Sequence, residues 1–326
     1  MGDVAMTVPV LKALTEQHPN VKITFVTRAI YKPFFKDLKN VEVYSADLKG
    51  EHNGVLGLYK LSRDLKTLQF DAVADLHNVL RSKILKFFFI GKEVVKLDKG
   101  RTEKKALISG RLFKRLKTTH QRYADVFKAL GCVVNLSNPT FSKSKSLTES
   151  LHQFIPNKEN KTIGIAPFAA HKSKMYPLEQ MEDAIANLSK EYNIILFGGG
   201  DEEVEILNTF ETKYDNVFSV AGKLTLNVEL ALISNLDVML AMDSGNAHIA
   251  AMLGVKVITI WGVTHPFAGF APFNQPDDYS LLANREKFPL IPTSVYGNKF
   301  PEGYENAAGS ISVTDIVTKV RAVVPE

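Results

Sequence analysis

"LDVMLAMDSGNAHIAAMLGVKVITIWG", residues 236–262, decides the fold class. The run "LDVMLAM" (236–242) is apolar without alternation, which is how a strand covered on both faces reads. "NAHIAAMLG" (246–254) reads as a helix, and "VKVITIWG" (255–262) is a second buried strand. Strand, helix and strand in one short stretch imply a parallel pair joined by a crossover, the building block of α/β proteins. Asp243, Ser244 and Gly245 then occupy the turn at the carboxyl end of the first strand, where open α/β sheets bind ligands.

The same alternation runs outward in both directions. Toward the carboxyl end of the chain it gives way after Pro266 to a stretch rich in Phe, Pro, Asn and Gly, and helical period returns in "SVTDIVTKVRAVV" (312–324). Upstream lie strands "TIGIAP" (162–167), "NIILFG" (193–198) and "NVFSVA" (216–221), with helices at 178–190, 201–213 and 226–235 between them. A first series precedes these: strands "VKITFVT" (21–27), "VEVYS" (41–45), "DAVADL" (71–76) and "EVVKL" (93–97), with helical stretches between and a helix "TTHQRYADVFKALG" (118–131) closed by Gly131. The polar, Ser- and Asn-rich segment 135–150 breaks the periodicity and is read as a linker extending to about Lys161. Two doubly wound domains are expected, 1–150 and 151–326, facing each other across a cleft at the carboxyl ends of their sheets.

With 45% hydrophobic and 23% charged residues in 326, the chain is globular. No apolar run is long enough for a membrane-spanning helix, and the start lacks the pattern of a secretory signal, so a cytoplasmic protein is expected. The lone Cys132 excludes an internal disulfide and a cysteine-built zinc site, and no metal is implied. The net charge of +5 is concentrated: residues 81–117 hold thirteen Lys and Arg against three Asp and Glu. Most of these are expected on solvated surface, with a phosphorylated substrate or an anionic bilayer as the functional alternative; aromatic interleaving of the nucleic-acid-binding kind is absent.

Four loops of the second series fall on one sheet edge. Gly245 at a helix start would let a phosphate oxygen approach unpaired backbone N–H groups, and His248 would add a donor; the alternative is that Asp243 or Ser244 simply caps the helix. Gly262, Thr264 and Pro266 form the next loop. "HKSKMYP" (171–177) carries Lys172 and Lys174. In "LFGGGDEEVE" (196–205), Gly199 suits close backbone approach and Glu202 or Glu203 could accept bonds from ribose hydroxyls, unless these acids only complement the helix dipole. Together the loops suit a nucleoside diphosphate.

The segments "MGDVAMTVPVLKAL", "FDAVADLHNVLRS", "HKSKMYP", "GGGDEE" and "MDSGNAHIAAMLGVKVITIWGVTHP", in this order and with the closing helix, resemble family 9 glycosyltransferases, the ADP-heptose lipopolysaccharide heptosyltransferases. The resemblance implies a GT-B fold of two Rossmann-like domains, the first holding the acceptor and the second the nucleotide sugar, with the closing helix packed back on the first. It implies inversion at the anomeric carbon without a metal or other cofactor. Carried over, Asp3 is the general base, Lys174 lies near the donor phosphates, and Asp243, Ser244, Gly245 and His248 form the donor loop. Arg81, His120 and Arg122 lie where relatives meet an anionic acceptor. Relatives also have a strand before "MGDV"; its lack here predicts unpaired backbone on neighbouring strands. The cysteines that relatives often carry late in the chain are absent from 291–310.

The expected activity is transfer of a heptose or related sugar from an ADP-sugar to a phosphorylated lipopolysaccharide core, with peripheral contact at the inner membrane left open. A nucleotide-sugar-binding protein without catalysis, or a GT-B-fold nucleotide-sugar epimerase, are the alternatives.

Overall fold

The computed structural model describes residues 1–142, 144, 147, 149–155 and 160–324. The first half of the chain forms α1 (Gly2–Ala5), α2 (Val8–Gln17), β1 (Ile23–Thr27), β2 (Val41–Ser45), α3 (Gly54–Lys66), β3 (Ala72–Asp75), α4 (Leu80–Phe87), β4 (Glu93–Lys96), α5 (Arg101–Ile108) and α6 (Thr119–Ala129). The second half forms β5 (Thr162–Ala166), α7 (Leu178–Leu188), β6 (Asn193–Leu196), α8 (Asp201–Lys213), β7 (Val217–Ser219), α9 (Leu226–Ile233), β8 (Val238–Met242), α10 (Gly245–Met252), β9 (Lys256–Trp261), β10 (Ser280–Leu282) and α11 (Val313–Val323). Among the described residues no helix is long and apolar enough to cross a membrane.

Two compact units result. One comprises Thr7–Gly100 and Lys117–Thr140; the other comprises Met1–Met6, Arg101–Leu116 and the chain from Phe141 onward. The sequence placed all of 1–150 together, whereas the chain enters the second unit twice before Phe141. Arg101–Leu116 belongs there because Leu107 and Leu116 are buried in a cluster with Ala268, flanked by Phe267 and Phe270, and the Leu116 N–H donates to the Phe267 carbonyl. Part of the stretch read as linker is packed as well: Glu149–Phe154 form a 3-10 turn with Leu151 buried. Lys143, Lys145, Ser146, Thr148 and 156–159 of that stretch lie outside the described residues.

In the first unit β1 pairs with β2 and β3 with β4, both parallel, but as two separate two-stranded ladders. A single doubly wound sheet was expected. No strand among the described residues joins the two ladders, and no residue of β1, β2 or β4 is fully buried. The helices carry the local core instead: Leu58, Leu61 and Leu65 of α3 pack with Ile84, Leu85 and Phe88 from α4 and the turn that follows it.

The second unit is a six-stranded, all-parallel sheet in the order β10-β9-β8-β5-β6-β7. Every residue of β5, β6 and β8 is buried, the condition for a strand with both faces covered. From β5 the chain winds one way through β6 and β7, and from β8 the other way through β9 and β10. The crevice at the carboxyl ends of β5 and β8 is therefore the topological switch point. Gly164 in β5 has no room for a Cβ, which would lie 2.5 Å from Leu236 Cδ1, so the turn between α9 and β8 packs closely on the strand there.

One predicted contact is corrected. Helix α11 was expected on the first domain, but it packs in the second unit. Ile316 and Val320 are fully buried in the cluster that holds Met181, Ile185 and Leu188 of α7. The Tyr176 hydroxyl donates to the Ile311 carbonyl just ahead of it, at 2.8 Å. The apolar stripe of α11 thus completes the helical layer on this sheet, each such side chain contributing about 1.5–3 kcal/mol.

Candidate active site

The switch-point strands β5 and β8 end in loops that meet. After β5, the 3-10 turn Lys172–Lys174 directs Lys174 toward the end of β8, where its ammonium lies 2.9 Å from Asp243 Oδ2. Both side chains are nearly buried, at 12% and 8% exposure. The same oxygen accepts a 2.9 Å hydrogen bond from Thr264 Oγ1, which projects from the loop after β9. Three neighbouring strands thus each send one polar side chain to one point. Asp243, carried over as a donor-loop residue with helix capping as the alternative, uses its Oδ2 to hold Lys174 and Thr264.

Glycines make that convergence possible. A Cβ on Gly262 would lie 2.4 Å from the Ser173 carbonyl oxygen, which also accepts from the Val263 N–H. Gly297, with φ of +81°, packs on the Lys174 stem so closely that a Cβ would lie 2.5 Å from its Cγ. The Ser173 hydroxyl donates to the Gly297 carbonyl, and the Gly297 N–H donates to Ser294 Oγ. The sequence did not point to Ser294 or Gly297: they lie in a stretch without period or motif, more than a hundred residues from the lysine they seat.

Beside the lysine, Ser244 stands at the N-cap of α10, yet its side chain makes no capping bond. Its Oγ and the Nδ1 of His248, in the first turn, are buried and lack a hydrogen-bond partner among the described residues. Burial pushes the His248 imidazole down to about 4, against the opposing pull of the Asp243 and Asp3 carboxylates, with Lys174 adding to the lowering. At neutral pH the ring is uncharged and carries one N–H and one lone pair. Asp3 belongs to this site through α1, which packs on α10: a Cβ on Gly2 would lie 3.2 Å from His248 Cδ2 and 3.5 Å from Gly245 Cα. The Asp3 side chain is exposed.

An oxyanion at the start of α10 would meet backbone N–H groups, the positive end of the helix dipole and the Lys174 ammonium. The other loops of this edge hold the remaining predicted residues. Lys172 is exposed in its turn. Gly199 and Glu202 are exposed at the start of α8, while Glu203 folds back so that its Oε2 accepts the Gly199 N–H at 2.8 Å. Among the described residues no group of three or more His, Cys, Asp or Glu could hold a metal ion.

The three residues assigned to the acceptor lie in the other unit. Arg81 is exposed in the first turn of α4. His120 and Arg122 depart from the expectation, being buried at 3% and 5% exposure in α6. Arg122 donates to the Lys117 and Asp98 carbonyls and to the Asp98 carboxylate, and its guanidinium fills the space a Cβ on Gly100 would need. Its observed work is to brace the turn after β4. A residue the sequence did not single out organises the α4 start: buried Asp75 accepts from the His77 and Asn78 N–H groups and the Ser82 hydroxyl, and pairs with Lys86 at 2.9 Å. Burial raises its pKa, but these partners outweigh burial and hold the carboxyl below its usual range.

Comparison with known proteins bears on the family and the fold. The chain is 25% identical over 288 residues to "Lipopolysaccharide core heptosyltransferase OpsX" of Haemophilus influenzae, covering 85% of this chain and 80% of that one. Among solved structures, a glycosyl transferase family 9 protein of Veillonella parvula superposes with a TM-score of 0.77 at 19% identity, over 99% of this chain and 94% of that one. The Escherichia coli heptosyltransferase WaaC with ADP gives 0.66 at 16% identity, over 99% and 96%. These likenesses show the fold, that of the GT-B glycosyltransferases. Residues 58–290 match glycosyltransferase family 9 (heptosyltransferase), so the chain belongs to that family and is a glycosyltransferase.

Proposed function

We propose that this enzyme transfers a heptose or closely related sugar from an ADP-linked donor to a lipopolysaccharide core acceptor, inverting the anomeric centre and using no metal. The observation that carries the reading is the Lys174 ammonium fixed by Asp243 and Thr264 beside the start of α10, next to the unpartnered Ser244 Oγ and His248 Nδ1. That set suits a diphosphate. The names of the relatives support the sugar and acceptor, and the ADP in the Escherichia coli structure supports the nucleotide.

In this reading the acceptor hydroxyl oxygen attacks the anomeric carbon as Asp3 takes its proton, and the bond to the diphosphate oxygen breaks with its electron pair leaving on ADP. Lys174 and the α10 N–H groups stabilise the charge growing on that oxygen, and neutral His248 donates a hydrogen bond to it. Lys172, Gly199 and Glu202 line the nucleotide side, with Gly262 and Thr264 shaping the loop, and Arg81 offers a cation to the acceptor.

The test is incubation of the protein with ADP-heptose and a defined core oligosaccharide, following ADP release and the product's anomeric configuration by NMR. Asp3→Asn is expected to lower kcat by about 100-fold or more with little change in donor binding. Turnover in EDTA is expected to equal that in magnesium. Wild-type activity in Asp3→Asn, product with retained configuration, or turnover abolished by EDTA would each remove the corresponding element.

A further inference from the structure

The turn that seats Lys174 also carries an aromatic ring at its tip. Residues 294–297 are pinned at both ends. The Thr293 N–H donates to the Val263 carbonyl, the Gly297 N–H returns to Ser294 Oγ, and the Gly297 carbonyl accepts from the Ser173 hydroxyl. Ser294 and Gly297 are buried, whereas Tyr296 is 57% exposed. A ring presented on a short, fixed turn is ordered before a ligand arrives, so little conformational entropy is lost on binding.

Tyr296 meets Phe270, from the loop after β9, with ring centroids 6.0 Å apart and planes tilted by 50°. The ammonium of the buried Lys104, in α5, lies 4.0 Å over the Phe270 ring. All of these residues belong to the second unit. Packing accounts for Phe270, which flanks the cluster of Leu107, Leu116 and Ala268. It does not account for Tyr296, which keeps more than half of its surface in water one residue from the glycine packed on the Lys174 stem.

The faces of an aromatic ring carry partial negative charge. They repel phosphate oxygens and attract the weakly positive C–H groups along one side of a sugar ring. In the catalytic reading Lys174 holds the diphosphate, and the reacting sugars are the groups that lie next to it. An open tyrosine face beside that lysine therefore suits a sugar rather than a phosphate.

We propose that Tyr296 stacks on the ring of a reacting sugar, with Phe270 fixing its tilt, and so sets which sugar ring the enzyme accepts. This rests on the catalytic reading and adds to it a residue that reads the sugar.

The test is saturation-transfer NMR on the full chain in two mixtures, ADP-heptose alone and ADP with the core oligosaccharide, alongside steady-state kinetics. Tyr296→Ala is expected to weaken the sugar-proton signals in one mixture, which names donor or acceptor as the source of the ring, and to leave the adenine signals in place. The KM of that substrate is expected to rise about three- to tenfold at an unchanged Tm, since the side chain is exposed. Tyr296→Phe is expected to stay within about twofold of wild type, because the ring face and not the hydroxyl makes the contact. Sugar signals unaltered in both mixtures, a loss of ADP affinity equal to the loss of sugar binding, or a loss in Tyr296→Phe as large as in Tyr296→Ala would overturn the proposal. Missing adenine signals in the wild type would instead overturn the catalytic reading beneath it.

Discussion

Lys174 and Asp243 meet at 2.9 Å at the ends of the two strands where the parallel sheet reverses its winding, and Thr264 from the next strand closes on the same carboxylate oxygen. The pair is shielded enough that losing one member leaves a poorly solvated charge. Asp243→Asn is expected to lower stability by about 3 kcal/mol, read by urea denaturation, and kcat/KM by about 100-fold, because Lys174 is no longer held in place. Thr264→Val leaves the ion pair intact and is expected to cost about 1 kcal/mol and to raise the donor KM several-fold. Equal effects of the two variants would mean that the charge is not what positions the lysine.

Gly297→Ala tests the seat of the lysine from its other side. The added methyl would sit 2.5 Å from Lys174 Cγ, on a backbone with φ of +81°. A stability loss of about 1–2 kcal/mol is expected, with an activity loss much larger than that would explain. Wild-type kcat in a folded Gly297→Ala protein would show that the stem can shift without consequence.

His248 makes a pH-dependent contribution whose sign follows from its lowered pKa. Folded His248 protonates at about 4, while the unfolded imidazole takes its proton near 6.5. Between those values the unfolded chain binds more protons, so stability is full above about 6.5 and falls as the pH drops toward 4, by about 3 kcal/mol for this group. His265, pushed down to about 4 chiefly by burial, acts in the same direction. Thermal melts from pH 7.5 to 5 are expected to show a shallower decline for His248→Gln than for wild type; parallel curves would contradict a buried neutral imidazole.

Ile316→Ala probes the placement of α11. Its side chain is fully buried in the core of the six-stranded unit, and truncation is expected to cost about 2–4 kcal/mol. A loss below about 1 kcal/mol would show that the helix is not packed where it lies here.

The second series of strands was legible because the burial that defines it is written into composition: "TIGIAP", "NIILFG" and "LDVMLAM" are unbroken apolar runs, and β5, β6 and β8 are buried throughout. The four strands of the first series also formed, in parallel pairs, but their division into two ladders is a matter of which backbone edges meet, and that leaves no trace in local pattern. Of the site, Lys174, Asp243 and Thr264 were named from their loops. Their mutual contact was not, since it depends on the order of β5, β8 and β9 in the sheet. Arg122 and His120 were named through the family resemblance, which places them where relatives meet an anionic acceptor; their burial at 5% and 3% is set by the packing of α6, which a positional match does not carry.

Periodicity, turn residues and the spacing from Asp243 to His248 by themselves determined an α/β chain with polar loops at strand ends, because these are local properties of consecutive residues. Only the tertiary structure decided that Gly297 shapes the lysine's seat, that Asp243 holds Lys174, that the Met1–Met6 segment joins α10, and that α11 completes the second unit. Each of these joins residues distant in the chain. The free energy that selects them comes from burial and charge pairing in the assembled core, which no window of sequence contains.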